Sequence, residues 1–325
     1  MGAMTFETAR QRADVIMEIR RFFSGLGYLE VDTPLLSPHL IPESSIEVFA
    51  STLLRPDGYR KDLYLVPSPE VWMKPLIAQG YGSIFQICKC FRNGEQQGRQ
   101  HNSEFTMLEW YTVDSGSEEN IGLTEELFRR LIPLGLPEYA YPPFRRLSVD
   151  QACEEYAGIV PTDYPEAEDL AEAARGLSLS PAAEETWESV FNRIFVQFVE
   201  GALPQDKPLV LYDYPARIPT LAAGRGDGRH SDRWELYAGG FECANCFAEE
   251  TDYRRVESYF RQEAKAKAAS PVPHAVNPRW TEMYRREHPR LSGVAMGVDR
   301  LIALTLGKTS IDGVIFFPLC DILDE

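Results

Sequence analysis

The sequence predicts an α+β fold, a largely antiparallel sheet flanked by helices, on three observations. Two apolar runs, residues 83–91 and 105–113, flank a polar stretch rich in Gly, Gln, Arg and His, the pattern of an antiparallel hairpin with a long tip. Apolar positions at helical spacing open the chain and recur over residues 118–200, whereas strand-like sequence returns at 208–214, 234–238 and 241–252. Residues 292–307 read as a small-residue strand that turns into a helix near Asp299.

With 325 residues, 44% of them hydrophobic, the chain has ample material for a core and not the composition of a disordered protein. A formal net charge of -16 works against nonspecific attraction to nucleic acid. No apolar run approaches the ~20 residues of a membrane span and no signal-peptide core opens the chain, so no membrane is expected and the expected compartment is the cytoplasm. Met1-Gly2-Ala3-Met4 reads as a tag remnant before a native Met4. The cysteines do not resemble a disulfide framework. Cys88-x-Cys90 and Cys243-x-x-Cys246 lie in strand-like sequence where neighbours alternate faces, which favours packed thiols over a zinc site.

In chain order, Val15, Ile19, Phe22 and Leu26 share a helical face over residues 5–26, with Gly25 and Gly27 as stop signals. A short strand at 28–32 runs into Thr33-Pro34. Residues 35–59 read as loop, broken by Pro38, Pro42 and Pro56. A strand at 62–66 precedes Ser68-Pro69-Glu70, an N-cap, a proline and an acid that open a helix to about Gln79. After the hairpin, helical pattern covers 118–132, 149–156, 167–175 and 185–200, with no catalytic constellation in it. Residues 252–269 form a charged amphipathic helix and 270–289 a proline-interrupted connection.

Strand periodicity selects the chemistry-bearing faces. Phe105, Met107, Glu109, Tyr111 and Val113 share one side of the hairpin, and Asn245, Phe247 and Glu249 one side of a later strand. Glu242 is out of phase with the latter and needs a twist or bulge to join them. Arg92 presents a planar cation suited to phosphate, Arg300 starts a helix, and Gly293 and Gly297 permit close approach of backbone to a ligand. On these features alone, Glu70 reads equally as a helix-end acid, Glu235 and Glu242 as solvated surface acids, and Asp299-Arg300 as a cap beside a surface cation.

Phe91-Arg92-Asn93, Arg99 and the run from His101 to Glu109 resemble motif 2 of the class II aminoacyl-tRNA synthetases in its lysyl wording, with a tip one residue longer. Residues 292–307 resemble motif 3, and the opening helix, strand and proline resemble motif 1. The resemblance implies a class II synthetase catalytic core with a mixed, mostly antiparallel sheet. It implies one catalytic domain over 5–325 carrying a helical insertion at about 115–201, without an anticodon-binding domain, and a homodimer formed through motif 1. It assigns ATP and Mg2+ as cofactors. Arg92 would meet the α-phosphate and Arg300 the γ-phosphate; Asn93 would join the ATP site, His101 and Phe105 would surround adenine, and Glu235 and Glu242 would hold magnesium. Glu70, Glu109, Tyr111 and Glu249 would surround a cationic amino acid in a pocket shaped by Asn245 and Phe247. Where the lysyl pattern reads Asn-Gly-Phe, this chain has Asn245-Cys246-Phe247.

The narrowest resemblance is to truncated lysyl-type paralogues that ligate a lysyl group, preferably (R)-β-lysine, to a lysine ε-amine of translation elongation factor P. Ala295 matches an alanine of those proteins where the tRNA enzymes carry glycine. The expected partners are therefore lysine or β-lysine and elongation factor P, with tRNA not expected. A compact enzyme charging RNA and a noncatalytic translation-associated module remain the alternatives at this point.

Overall fold

A computed structural model describes residues 4–95, 98–285 and 288–323; the tag-like Met1 to Ala3, and Gln96 and Gln97 of the hairpin tip, lie outside them. Helix α1 (Phe6–Gly25) is capped by Thr5, whose hydroxyl accepts the Thr8 amide at 3.1 Å. Its apolar stripe, Val15, Ile19, Phe22 and Phe23, is buried. Strands β1 (Leu29–Glu30), β2 (Leu36–Ser37), β3 (Ala50–Leu54) and β4 (Arg60–Leu65) follow, then helix α2 (Glu70–Ala78) and the hairpin β5 (Ile84–Phe91) and β6 (Glu104–Val113). Helix α3 (Ser117–Leu131) leads to β7 (Arg145–Ser148) and the helices α4 (Val149–Ala157), α5 (Ala167–Gly176) and α6 (Trp187–Ile194). Strands β8 (Leu209–Pro215), β9 (His230–Ala238) and β10 (Phe241–Ala248), helices α7 (Tyr253–Lys267) and α8 (Pro278–Glu282), strand β11 (Leu291–Gly297), and helices α9 (Val298–Thr305) and α10 (Leu319–Leu323) complete the chain.

The main sheet has eight strands in the order β1-β5-β6-β11-β10-β9-β8-β7. Pairing is parallel only at its edges, β1 with β5 and β7 with β8, so the mixed, mostly antiparallel sheet expected from the sequence is the one observed. One face carries α1, α3 and α9. There Phe23 stacks on Phe85 with ring centroids 5.1 Å apart, and Leu108, Trp110, Val294 and Met296 fill the layer. Each large side chain so buried contributes ~1.5–3 kcal/mol. The Trp110 indole N–H is satisfied by Asn120 Oδ1 at 2.8 Å. Helices α4 to α6 form a second core against β8, around Val149, Leu170, Phe191 and Leu211.

Three local expectations are corrected. The segment read as loop at 35–59 contains β2 and β3, which pair with β4 in a three-stranded sheet. All of β3 is exposed, so it has no inside-outside alternation to read; the hairpin is set by a turn at Pro56-Asp57-Gly58, where Gly58 has φ +85°. Helix α2 starts one residue late, with Pro69 at the N-cap, although Ser68 Oγ still accepts the Glu70 amide at 3.0 Å. The helix expected over 185–200 is α6 followed by a wider turn at Phe195–Val199.

Candidate active site

The face of the sheet opposite α1 and α9 lines a cleft of about 600 Å³. Strand register assembles it. Glu109, Ala295, Asn245 and Glu235 lie abreast on β6, β11, β10 and β9, and Tyr111, Gly293, Phe247 and Arg233 form the next row. Side chains alternate along each strand, so the intervening Leu108, Trp110, Val294 and Cys246 go to the core. Cys246 therefore does not shape the cleft, despite replacing the glycine of the lysyl pattern. Between Glu242 and Ala244 the register of β10 on β9 shifts by one residue. That bulge brings the out-of-phase Glu242 onto the cleft side.

Arg92 and Arg300 both line this cleft. The Arg92 guanidinium sits 5.4 Å from the centroid of the Phe105 ring. Arg300 donates through Nη1 to the Glu242 carbonyl at 2.7 Å and through Nε to the Gln100 carbonyl at 3.2 Å, and its Nη2 lies 2.9 Å from His101 Nε2. Burial, and then Arg300, lowers the His101 pKa, so the ring is neutral and its Nε2 accepts. Phe105 thus lies beside Arg92 and His101 beside Arg300, both in the same cleft. Neighbouring Asp299, almost fully buried, accepts the Thr106 amide at 2.7 Å and pairs with Arg12 at 2.7 Å. That contact ties α9 to β6 and α1, and so fixes Arg300 relative to the hairpin.

The acids gather below. Glu109 accepts the Ser68 hydroxyl at 2.6 Å and the Tyr111 hydroxyl at 2.7 Å, and burial, reinforced by Glu70, pushes it up to about 8. Lys74, only 1% exposed, contacts Glu70 and lies 2.6 Å from Glu249 Oε2, beneath the rings of Tyr111 and Trp280. Burial alone would push this ammonium down, but Glu249 and Glu70 outweigh it and its pKa stands well above the ordinary lysine value. Glu249 is raised by burial to about 7, with Lys74 opposing the rise.

A family model described as tRNA synthetases class II (D, K and N) matches residues 3–321. The chain belongs to that family. Among curated relatives of this class II synthetase-family protein, one from Avibacterium paragallinarum is 36% identical over 318 residues, 97% of this chain and 96% of the relative. One from Histophilus somni (strain 2336) is 37% identical over 311 residues, 95% and 94% of the two chains, and one from Salmonella paratyphi B is 36% identical over 315 residues, again 95% and 94%. All three carry the name elongation factor P--(R)-beta-lysine ligase.

Against the sequence expectations for this synthetase-family chain, Glu70, Arg92, His101, Phe105, Glu109, Tyr111, Glu235, Glu242, Asn245, Phe247, Glu249, Ala295 and Arg300 all line the one cleft. Asn93 does not. Its amide N–H bonds the Glu47 carbonyl at 2.9 Å and its Nδ2 the Val48 carbonyl at 3.4 Å, so it secures the loop between β2 and β3. Gly293 lines the cleft, and a Cβ there would stand 2.4 Å from Tyr111 Cε1, so the glycine makes room for that ring. The sequence reading missed Lys74, whose apolar helical context gave no charge pattern, and Arg233, which bridges to Glu235 at 2.5 Å while covering the Tyr214 ring at 4.3 Å.

The two carboxylates expected to hold magnesium are not equivalent. Glu235 already accepts from Tyr214, Tyr237, Arg233 and Asn245. Glu242 accepts no side-chain hydrogen bond among the described residues, stands 3.8 Å from Arg300 Nη1, and is raised to about 7 by burial and by Glu235. A hard dication suits oxygen donors whose mutual repulsion it relieves, so the pair fits Mg2+ with Glu242 as the freer ligand.

Proposed function

We propose that this protein uses ATP to activate lysine, preferentially (R)-β-lysine, as an aminoacyl-adenylate and transfers it to a lysine ε-amine of translation elongation factor P. The observation that carries the reading is that one cleft holds Arg92 and Arg300 together with Glu70, Glu109 and Glu249: cations for a bent triphosphate above acids for a cationic amino acid. The names of the curated relatives supply the acceptor.

Activation is attack of a substrate carboxylate on the α-phosphorus with loss of pyrophosphate. The nucleophile is already an anion and needs no base, so the site has to align it and offset phosphate charge. Arg92 holds the α-phosphate, Arg300 the γ-phosphate, and Phe105 and His101 border the adenine. Glu242, beside Glu235, would hold a magnesium ion, which would supply further charge neutralisation on the phosphate oxygens. Glu249 and Tyr111 receive the distal ammonium while Glu70 receives the other amino group. The Ala295 methyl, lying between Glu109 and Asn245 in the sheet row, narrows the floor and favours the β-isomer. Exposed Phe6, Leu26 and Leu29, at 83%, 52% and 49%, support pairing of two copies along α1 and β1.

The test is incubation with labelled lysine or β-lysine, ATP, elongation factor P and total tRNA. Label retained on protein after RNase treatment is the expected outcome, with β-lysine the better donor. RNase-sensitive label, or none on the factor, rejects the acceptor assignment.

A further inference from the structure

The transfer step, unlike activation, starts from a cation. A lysine side chain reaches the cleft as an ammonium, with an ordinary pKa of about 10.4, and cannot attack the adenylate carbonyl until it has lost a proton. This inference rests on the function proposed above and asks which group takes that proton.

Most cleft acids are engaged. Glu70 and Glu249 are tied to Lys74, Glu109 to Ser68 and Tyr111, and Glu235 to its four donors. Glu43 also lines the cleft, half-buried, and its carboxylate has no hydrogen-bond or ion-pair partner among the described residues. The loop that carries it is built to hold position. Ser44 N donates to Glu263 Oε2 at 2.7 Å, buried Lys267 donates to the Ile46 carbonyl at 2.5 Å and approaches Glu47 Oε1 at 3.2 Å, and the Glu47–Asn93 bridge ties the loop to the residue after Arg92. The charges facing Glu43 are Glu70 and Lys74 from α2, Arg92 beyond β5, and Glu263 from α7, where Tyr259 also stands. Glu43 thus shares the cleft with the residue assigned to the amino group and the residue assigned to the α-phosphate, between which the adenylate carbonyl would lie. Of the other cleft acids without a side-chain hydrogen bond, Glu242 is assigned to the metal and lies 3.8 Å from Arg300 Nη1, while Glu188 and Glu200 face Arg233 and Arg300, not Arg92.

We propose that Glu43 is the proton acceptor of the transfer step. Its carboxylate takes one proton from the incoming ε-ammonium. The freed amine attacks the adenylate carbonyl, a C–N bond forms, and the bond from that carbon to the phosphate oxygen breaks with its electron pair on AMP. The second proton leaves the nitrogen to the departing phosphate, giving the amide and AMP, and Glu43 returns its proton to water. Burial and the neighbouring Glu70 raise the Glu43 pKa to about 7, which matches a base working near neutrality.

The test compares two nucleophiles on enzyme-bound adenylate under single turnover. Hydroxylamine is neutral near pH 7 and needs no base to react, whereas elongation factor P offers an ammonium. Glu43→Gln is expected to slow transfer to the factor ~100-fold more than hydroxamate formation, with the gap closing as the pH approaches the ammonium pKa, and Glu43→Asp is expected to recover part of the loss. Equal loss with both nucleophiles, or a gap independent of pH, overturns the assignment. Wild-type enzyme that forms the hydroxamate yet modifies no elongation factor P overturns instead the function on which it rests.

Discussion

Lys74 Nζ lies 2.6 Å from Glu249 Oε2 and also contacts Glu70, so the acids proposed to receive a cationic amino acid already have a buried cation behind them. The lysine offsets the repulsion between two carboxylates held close together, and removing it would leave both without their cation. Lys74→Met should therefore destabilise the free protein by ~3–5 kcal/mol, and saturating lysine, which brings its own ammonium, should restore part of that. Urea unfolding with and without lysine reads both effects. An unchanged midpoint would show that the acids do not depend on Lys74.

Stability of the free protein should fall as pH rises from about 5 to 8. Glu109 and Glu249, both buried, keep their protons to about pH 8 and about pH 7, while the unfolded chain releases them near the ordinary glutamate value of 4.5. In that window the folded state binds more protons, so each such group removes up to ~1.4 kcal/mol per pH unit. Glu109→Gln, neutral throughout, should flatten the slope; thermal unfolding at several pH values measures it, and a slope identical to wild type counts against the raised carboxyl.

Arg92→Ala and Arg300→Ala should each lower ATP–pyrophosphate exchange ~100-fold or more without loss of fold. On the proposed reading the two arginines would meet the phosphates, and neither belongs to the apolar core. Exchange assays beside far-ultraviolet circular dichroism separate the two effects. Near-normal exchange by either variant removes that residue from the mechanism.

Ala295→Gly should change donor preference more than stability. Ala295 is abreast of Glu109 and Asn245 on the cleft floor, and one methyl in such a pocket discriminates by ~10-fold or more. Exchange rates with lysine and (R)-β-lysine should move toward each other in the variant. Equal use of both isomers by wild type removes the methyl from the explanation.

Much of the site is legible in the chain because period-two alternation is a local property. It groups Glu109 with Tyr111 and Asn245 with Phe247 and Glu249, and it exposes Glu242 as the residue that needs a bulge. The strands that escaped notice lack that signal: β3 is exposed throughout, and β7 is a four-residue edge strand. Asn93 shows the opposite limit. The motif that contains it gives no sign of its hydrogen-bond partners, Glu47 and Val48, which lie more than forty positions away.

By itself, then, the sequence determined the sheet-and-helix class, the family, and which side chains on each strand face the same way. Only the tertiary structure decided that Ala295 stands between Glu109 and Asn245, that Lys74 is enclosed by Glu70 and Glu249, and that a loop pinned by Lys267 and Asn93 brings Glu43 into the cleft that Arg92 also lines. The physical reason is that alternation is set by each residue's own backbone, whereas register, burial and electrostatic environment depend on segments distant in the chain meeting across the sheet.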